Sequence, residues 1–222
     1  MQCIPEILKR EELQKLRSVL NAAEFVDGKT TAGYRARRIK SNLQLPSESP
    51  VLKDATSLVE RALWRNMPFT WTAWPQRIRG ILFSRYEPGM QYGYHVDNAI
   101  MGKSEPWRSD VAFTLFISDP SEYDGGELVI ESGLGPQEIK LAAGEAVVYA
   151  ASTLHRVAEV TRGRRFVAAG WVQSQIRDPA QREILHDLER IKRLLAEKMP
   201  DAPETDWAFK TQANLMRMWA DP

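Results

Sequence analysis

The chain has 222 residues, 43% hydrophobic and 27% charged, with 30 basic against 29 acidic side chains; that balance suits an ordinary globular protein and supplies no electrostatic reason for nucleic acid or an anionic membrane as partner. A single cysteine excludes an internal disulfide and any CxxC metal pair. No apolar run reaches the roughly 18 residues of a membrane span and the first residues lack signal-peptide character, so a cytoplasmic location is expected.

Glu6 to Ala23 carries Ile7, Leu8, Leu13, Leu16, Val19 and Leu20 at mostly helical spacing, and Val51 to Asn66 repeats the pattern with Leu52, Leu58, Val59 and Leu63. Between them Gly28 to Pro50 is polar and basic, with Arg35, Arg37, Arg38 and Lys40, and reads as loop or short strand; the Arg35–Lys40 cluster reads as a solvated face, the competing reading being a surface that meets an acidic substrate. From Arg77 the period changes. Short β-branched and aromatic runs (Ile78–Tyr86, Val111–Ser118, Glu127–Glu131, Gln137–Leu141, Ala146–Tyr149, Arg156–Thr161 and Arg165–Gln173) alternate with turn signals such as Asp124-Gly125-Gly126 and Thr161-Arg162-Gly163. Seven or eight short strands at this spacing predict a sandwich or jelly roll. After Asp178-Pro179 the helical period returns in Ile184, Leu185, Leu188, Ile191, Leu194 and Leu195, and a last helix is predicted from Asp206 to Trp219. The expected class is α+β, in three parts: a helical segment over 1–76, a β core over 77–177 and a helical extension over 178–222.

Only three histidines are present: His95, His155 and His186. In extended backbone, residues i and i+2 share a face, so His95-Val96-Asp97 aims an imidazole and a carboxylate together. Alone, such a tripeptide arises by chance. With His155 it makes a set of two histidines and one carboxylate, which leaves three metal positions open for a bidentate 2-oxo acid and O2. Zinc competes for the same donors. Ten residues beyond His155, Arg165 opens a run continuing to Trp171, and two adjacent strands joined by a short turn would set it near His155. A guanidinium there can pair bidentately with the distal carboxylate of 2-oxoglutarate. Arg164 is the rival, but alternation groups Arg165 with Val167, Ala169 and Trp171 on one face. Tyr86 is a second candidate contact to that carboxylate, or simply packing.

The stretches Phe83-Ser84-Arg85-Tyr86, Tyr92 to Asp97, Thr114 to Pro120, Tyr123 to Leu128, Leu154 to Val157 and Val160 to Gly163 together resemble the prolyl 4-hydroxylase-type Fe(II)/2-oxoglutarate dioxygenases, and more closely the bacterial PKHD-type hydroxylases. The similarity extends over nearly the whole chain. It implies a double-stranded β-helix (jelly roll) with flanking helices and iron held by His95, Asp97 and His155. It also implies that Arg165 anchors 2-oxoglutarate, with Tyr86 beside it. The implied reaction couples decarboxylation of 2-oxoglutarate by O2, to succinate and CO2, with hydroxylation of a substrate; L-ascorbate is a family-level expectation with no site visible.

The substrate end is open: a peptidyl residue, a free amino acid or a small metabolite such as a siderophore. Ile100 to Arg108 reads as a lid, recognition loop or plain surface loop, with Tyr94 and Asn98 flanking the ligands. His186 reads as structural, and the outer face of the C-terminal helices suits either core packing or a homo-oligomer. A cupin-like metal- or sugar-binding jelly roll and a zinc hydrolase are the competing readings.

Overall fold

A computed structural model describes residues 1–31, 33–102 and 104–221. The chain enters with β1 (Gln2–Ile4) and α1 (Arg10–Ala22), then three short strands, β2 (Val26–Asp27), β3 (Lys40–Ser41) and β4 (Leu43–Gln44). Helices α2 (Leu52–Arg65) and α3 (Met67–Ala73) follow. The long β5 (Pro75–Tyr86), β6 (Gln91–His95) and the small hairpin β7 (Ile100–Met101) and β8 (Trp107–Arg108) lead to β9 (Val111–Phe116). Next come β10 (Tyr123–Gly125), β11 (Leu128–Ile130), β12 (Gln137–Ile139), β13 (Ala146–Ala150), β14 (His155–Val157), β15 (Val160–Gly163) and β16 (Arg165–Ser174). Two helices, α4 (Pro179–Lys198) and α5 (Pro203–Trp219), close the chain.

Two antiparallel sheets face each other as a jelly roll. The larger has the order β1-β13-β9-β16-β5-β4-β2 and the smaller β12-β11-β14-β6-β3. The α+β expectation is met, and residues 1–76 add strands to both sheets besides their helices. The central strands are covered on both faces, which is why they lack polar alternation. Along β9, Val111, Phe113 and Leu115 join the layer under the helices, while Ala112 and Phe116 point between the sheets. Strand β16 splits likewise, with Phe166, Ala168 and Val172 outward and Val167 inward. Leu16, Leu20, Leu58, Val59 and Phe69 of α1 to α3 cover the outer side of the large sheet.

Several boundaries differ from the sequence reading for local reasons. Helix α3 went unseen because it has only seven residues and contains Pro68; it starts because Asn66 accepts a hydrogen bond from the Phe69 N–H, 2.9 Å. Asp178 caps α4 in the same way through the Ala180 and Gln181 N–H groups, with Pro179 at the first helical position. Thr161-Arg162-Gly163 is not a turn but part of β15, which pairs with β10. His155 and Arg165 therefore do not lie on adjacent strands: β14 belongs to the small sheet and β16 to the large one. On α4 the inward face uses Arg182, Leu185 and Glu189, whereas Ile184, Ile191 and Leu194 are half-exposed. Among the described residues no helix is long and apolar enough to cross a membrane.

The contact between β16 and β9 is tight enough to test. A Cβ on Gly170 would lie 2.6 Å from Phe113 Cζ, in a ring that is fully buried. Gly170→Ala should cost about 1–3 kcal/mol through overpacking. Thermal unfolding should register a Tm lower by roughly 2–12 °C.

Candidate active site

Three potential metal ligands meet where the small sheet opens. His95 and His155 are cross-strand partners on β6 and β14, with ring centroids 4.2 Å apart. Asp97 follows two residues after His95, Val96 turning outward between them. Ligand atoms of the three side chains all lie within 4.8 Å of one another, so one ion with bonds of about 2 Å can reach them after small side-chain adjustment.

Their electronic state follows from their neighbours. His95 Nδ1 donates to the Gly93 carbonyl at 2.8 Å and His155 Nδ1 to the Thr153 carbonyl at 2.9 Å. Carbonyl oxygens only accept, so each ring keeps its Nε2 lone pair for a metal. Burial, with the nearby His155 ring, pushes the His95 pKa down to about 4, leaving it a neutral donor at pH 7. Burial raises the Asp97 pKa, while His155 and the Trp171 indole N–H favour its charged form; that N–H is close to the carboxylate without reaching hydrogen-bond geometry. Tyr92 stacks on His95 at 3.7 Å and Tyr149 packs edge-on to His155 at 5.1 Å, which limits rotation of both rings.

A cavity of about 1260 Å³ opens from this cluster and is walled on the other side by the large sheet. Arg165 projects into it and is 1% exposed. Its partner across the β16–β5 ladder is Tyr86, whose ring lies 5.1 Å below the guanidinium, with Phe116 at 5.5 Å. None of the three Arg165 nitrogens makes a hydrogen bond among the described residues. A buried unpaired charge costs several kcal/mol, and two cation–π contacts return only about 0.5–2 kcal/mol each. The pocket therefore suits an anion, and the distal carboxylate of 2-oxoglutarate fits it chemically. Arg164 is 65% exposed and faces Glu87 at 3.5 Å, outside the cavity lining.

Residues 81–173 match the model of the 2OG-Fe(II) oxygenase superfamily. A PKHD-type hydroxylase of Rippkaea orientalis is 50% identical over 216 residues, covering 97% of each chain. Another, of Synechococcus elongatus, is 48% identical over 219 residues and 98% of each chain. The chain belongs to the PKHD-type hydroxylases. This PKHD-type hydroxylase is accordingly a 2-oxoglutarate-dependent dioxygenase that uses Fe(II). Its fold is shared with a Pseudomonas putida prolyl-4-hydroxylase (18% identity, TM-score 0.53, covering 78% of this chain and 91% of that one). It is shared also with SnoK, a non-heme α-ketoglutarate-dependent carbocyclase of nogalamycin biosynthesis (14% identity, TM-score 0.56, 78% and 80% covered).

In this PKHD-type hydroxylase, the sequence-derived candidates His95, Asp97, His155, Arg165 and Tyr86 all line one cavity. Tyr94 and Asn98 line it too, with the Tyr94 hydroxyl donating to Glu131 at 2.6 Å. The Ile100–Arg108 segment forms the β7–β8 hairpin, and Trp107 lines the cavity while 8% exposed; Lys103, in the same segment, lies outside the described residues. His186 sits on α4, 3.5 Å from the Thr72 hydroxyl. The sequence reading missed Asn42 and Tyr123, and took Lys40 as part of a basic cluster with a solvated face as its first reading. Lys40 is 5% exposed and on the cavity wall, not on a solvated face. Tyr123 is fully buried; burial raises its hydroxyl pKa and the nearby Arg165 opposes the rise. The signal for Tyr123 was present in Tyr123-Asp124-Gly125-Gly126, which reads only as a turn when taken locally.

Gly126 matters for the Arg165 pocket. It has φ +67°, and a Cβ there would lie 2.9 Å from Arg165 Cδ and 2.8 Å from Val160 Cγ2. Gly126→Ala should displace the guanidinium, raising the dissociation constant for 2-oxoglutarate while leaving that for metal near its original value. Titrations of metal and cosubstrate in turn would separate the two.

Proposed function

We propose that His95, Asp97 and His155 hold the iron of this dioxygenase, that Arg165 anchors the distal carboxylate of 2-oxoglutarate, and that Tyr86 supports that anchor. The observation that carries the reading is the buried Arg165 guanidinium, without a hydrogen-bond partner, on the wall opposite the histidine–carboxylate cluster. A zinc hydrolase or a cupin-like sugar- or metal-binding module needs no such cation. When bound, iron(II) would supply open positions and redox chemistry for a reaction in which O2 takes two electrons from 2-oxoglutarate, giving succinate and CO2, and two from a substrate C–H bond, which gains one oxygen atom.

The protein's own contributions follow from its side chains. The two Nδ1–H donations hold the imidazoles in the tautomer that presents Nε2. Asp97 brings the one carboxylate of the set; burial raises its pKa, and His155 and the Trp171 indole oppose that rise without cancelling it. Arg165 fixes one end of the cosubstrate so that its 2-oxo acid end faces the cluster, a positioning effect. Phe116, Tyr149 and Val167 exclude water around it, which strengthens the ion pair.

The reaction is read as hydroxylation of a peptidyl residue, an amino acid or a small metabolite, with residues 77–177 as the dioxygenase core and the helical parts flanking it. Ascorbate enters only as a family-level reductant. The half-exposed Ile184, Ile191 and Leu194 on α4 support a homo-oligomer formed through the C-terminal helices. Sedimentation should show the Ile191→Glu variant lighter than the parent, and equal masses would count against that interface.

Anaerobic addition of Fe(II) and 2-oxoglutarate should produce a weak visible charge-transfer band. His155→Ala should abolish it. Arg165→Ala should retain metal but lose about 2–5 kcal/mol of cosubstrate binding, at least roughly 30-fold in dissociation constant. Unchanged cosubstrate affinity in Arg165→Ala would reassign the anchor, and tight zinc binding without the band would favour the hydrolase reading.

A further inference from the structure

Strand β16 carries its inward side chains past an irregularity. Ala169 pairs with Leu82 but Trp171 with Arg79, so two residues of β5, Gly80 and Ile81, stand opposite Gly170 alone. A bulge of this kind bends the strand and re-aims a side chain beside it. Gly80 takes φ +67°, a left-handed conformation that favours glycine. The Trp171 indole lies across it: a Cβ on Gly80 would be 3.1 Å from Trp171 Cε3 and 3.7 Å from Trp107 Cζ2. The indole is thus seated on bare backbone, in the wall of the cavity.

Its N–H is left over. Trp171 Nε1 is buried and makes no hydrogen bond among the described residues, an unfavourable state for a donor. Of the described residues that line the cavity, only Asp97 bears a carboxylate, and the indole N–H is near enough to favour its ionised form. Asp97 also has the greater need of a partner. Each imidazole of the cluster is held by donation to a backbone carbonyl and by a tyrosine ring. Asp97 stands two residues past the end of β6, beyond the ladder with β14.

The donor set makes that need specific. A carboxylate can bind a metal through one oxygen or through both. Binding through both would take up one of the three positions that a bidentate 2-oxo acid and O2 require. We propose that the Trp171 indole N–H donates to the Asp97 oxygen that faces away from the metal, so that Trp171 is a positioning residue that keeps Asp97 to a single metal bond. The inference rests on the reading of His95, Asp97 and His155 as the iron ligands. An indole suits the task because its nitrogen only donates. It engages the spare oxygen without competing for the metal and without adding a charge to the cluster. Its rigid ring, fixed over Gly80, sets the direction of that donation.

The test loads the protein with Zn(II), which is diamagnetic, and follows the indole N–H resonances by NMR. The Trp171 signal is the one that shows contacts to Gly80 and is missing from Trp171→Phe. It should move downfield as metal binds and a hydrogen bond to the carboxylate forms. Dissociation constants for Zn(II) and Fe(II), read under nitrogen by competition with a chelating dye, should rise about 10- to 100-fold in Trp171→Phe. Trp171→Gln keeps an N–H and should recover part of that loss, whereas Trp171→Met, of similar length without a donor, should not. The visible band with Fe(II) and 2-oxoglutarate should follow the same order. The assignment is overturned if the Trp171 resonance stays in place when metal binds, if Trp171→Phe holds metal as the parent does, or if the Gln and Met variants hold it equally. Should the variants fail to fold, the resonance of the parent chain decides. A parent that binds neither metal fails at the reading of the ligands, and the positioning role falls with it; one that binds metal with the indole unmoved fails only here.

Discussion

A guanidinium enclosed by aromatic rings and facing a cavity is a costly arrangement, and much of the surrounding structure accommodates it. Arg165 sits at the start of β16 with Tyr86 and Phe116 against its planar group and no hydrogen-bond acceptor among the described residues. Gly126 leaves out a Cβ where the arginine stem passes, and Tyr123 fills the space behind it. A fold carries such a charge when a ligand completes it. In the proposed reading of this dioxygenase, the incomplete ion pair is what receives the acidic cosubstrate.

The two-sheet layout makes this possible. A metal cluster needs donors held at fixed separation, which the β6–β14 ladder supplies by making His95 and His155 cross-strand neighbours. The anion pocket needs low dielectric and rigid walls, which the large sheet supplies because helices cover its other face. Separating the two jobs between opposing sheets sets cosubstrate length against cavity width. Residues 40–44 join the sheets at the side of the cavity, through the pairing of β3 with β6 and of β4 with β5.

Much of the site was legible without coordinates because its chemistry is written in scarce residues and short-range geometry. With three histidines in the chain, His95-Val96-Asp97 and His155 left few ways to build a site, and strand alternation alone separated Arg165 from Arg164. The runs Val111–Ser118 and Arg165–Gln173 were readable as buried strands for the same reason, since β-branched and aromatic residues without polar alternation imply cover on both faces. The C-terminal helix began where Asp178-Pro179 said it would.

Other features depend on which segments meet, and no local pattern encodes that. Thr161-Arg162-Gly163 has turn composition, yet pairing with Tyr123 to Gly125 draws it into β15 and sends β16 to the opposite sheet, so His155 and Arg165 face each other across a cavity instead of lying side by side. Lys40 looks like one more charge in a basic, solvated stretch until β3 pairs with β6 and buries it. Ile184, Leu185, Ile191 and Leu194 read as one apolar stripe, but Leu185 turns inward with Glu189 while the other three stay half-exposed. The sequence by itself determined the candidate donor set, the strand-rich core and the cation proposed for the cosubstrate, because each rests on residue type and a period of two. Tertiary structure alone decided which wall each group occupies and which polar groups lose their water, because burial belongs to the packed pair of sheets and not to any one strand.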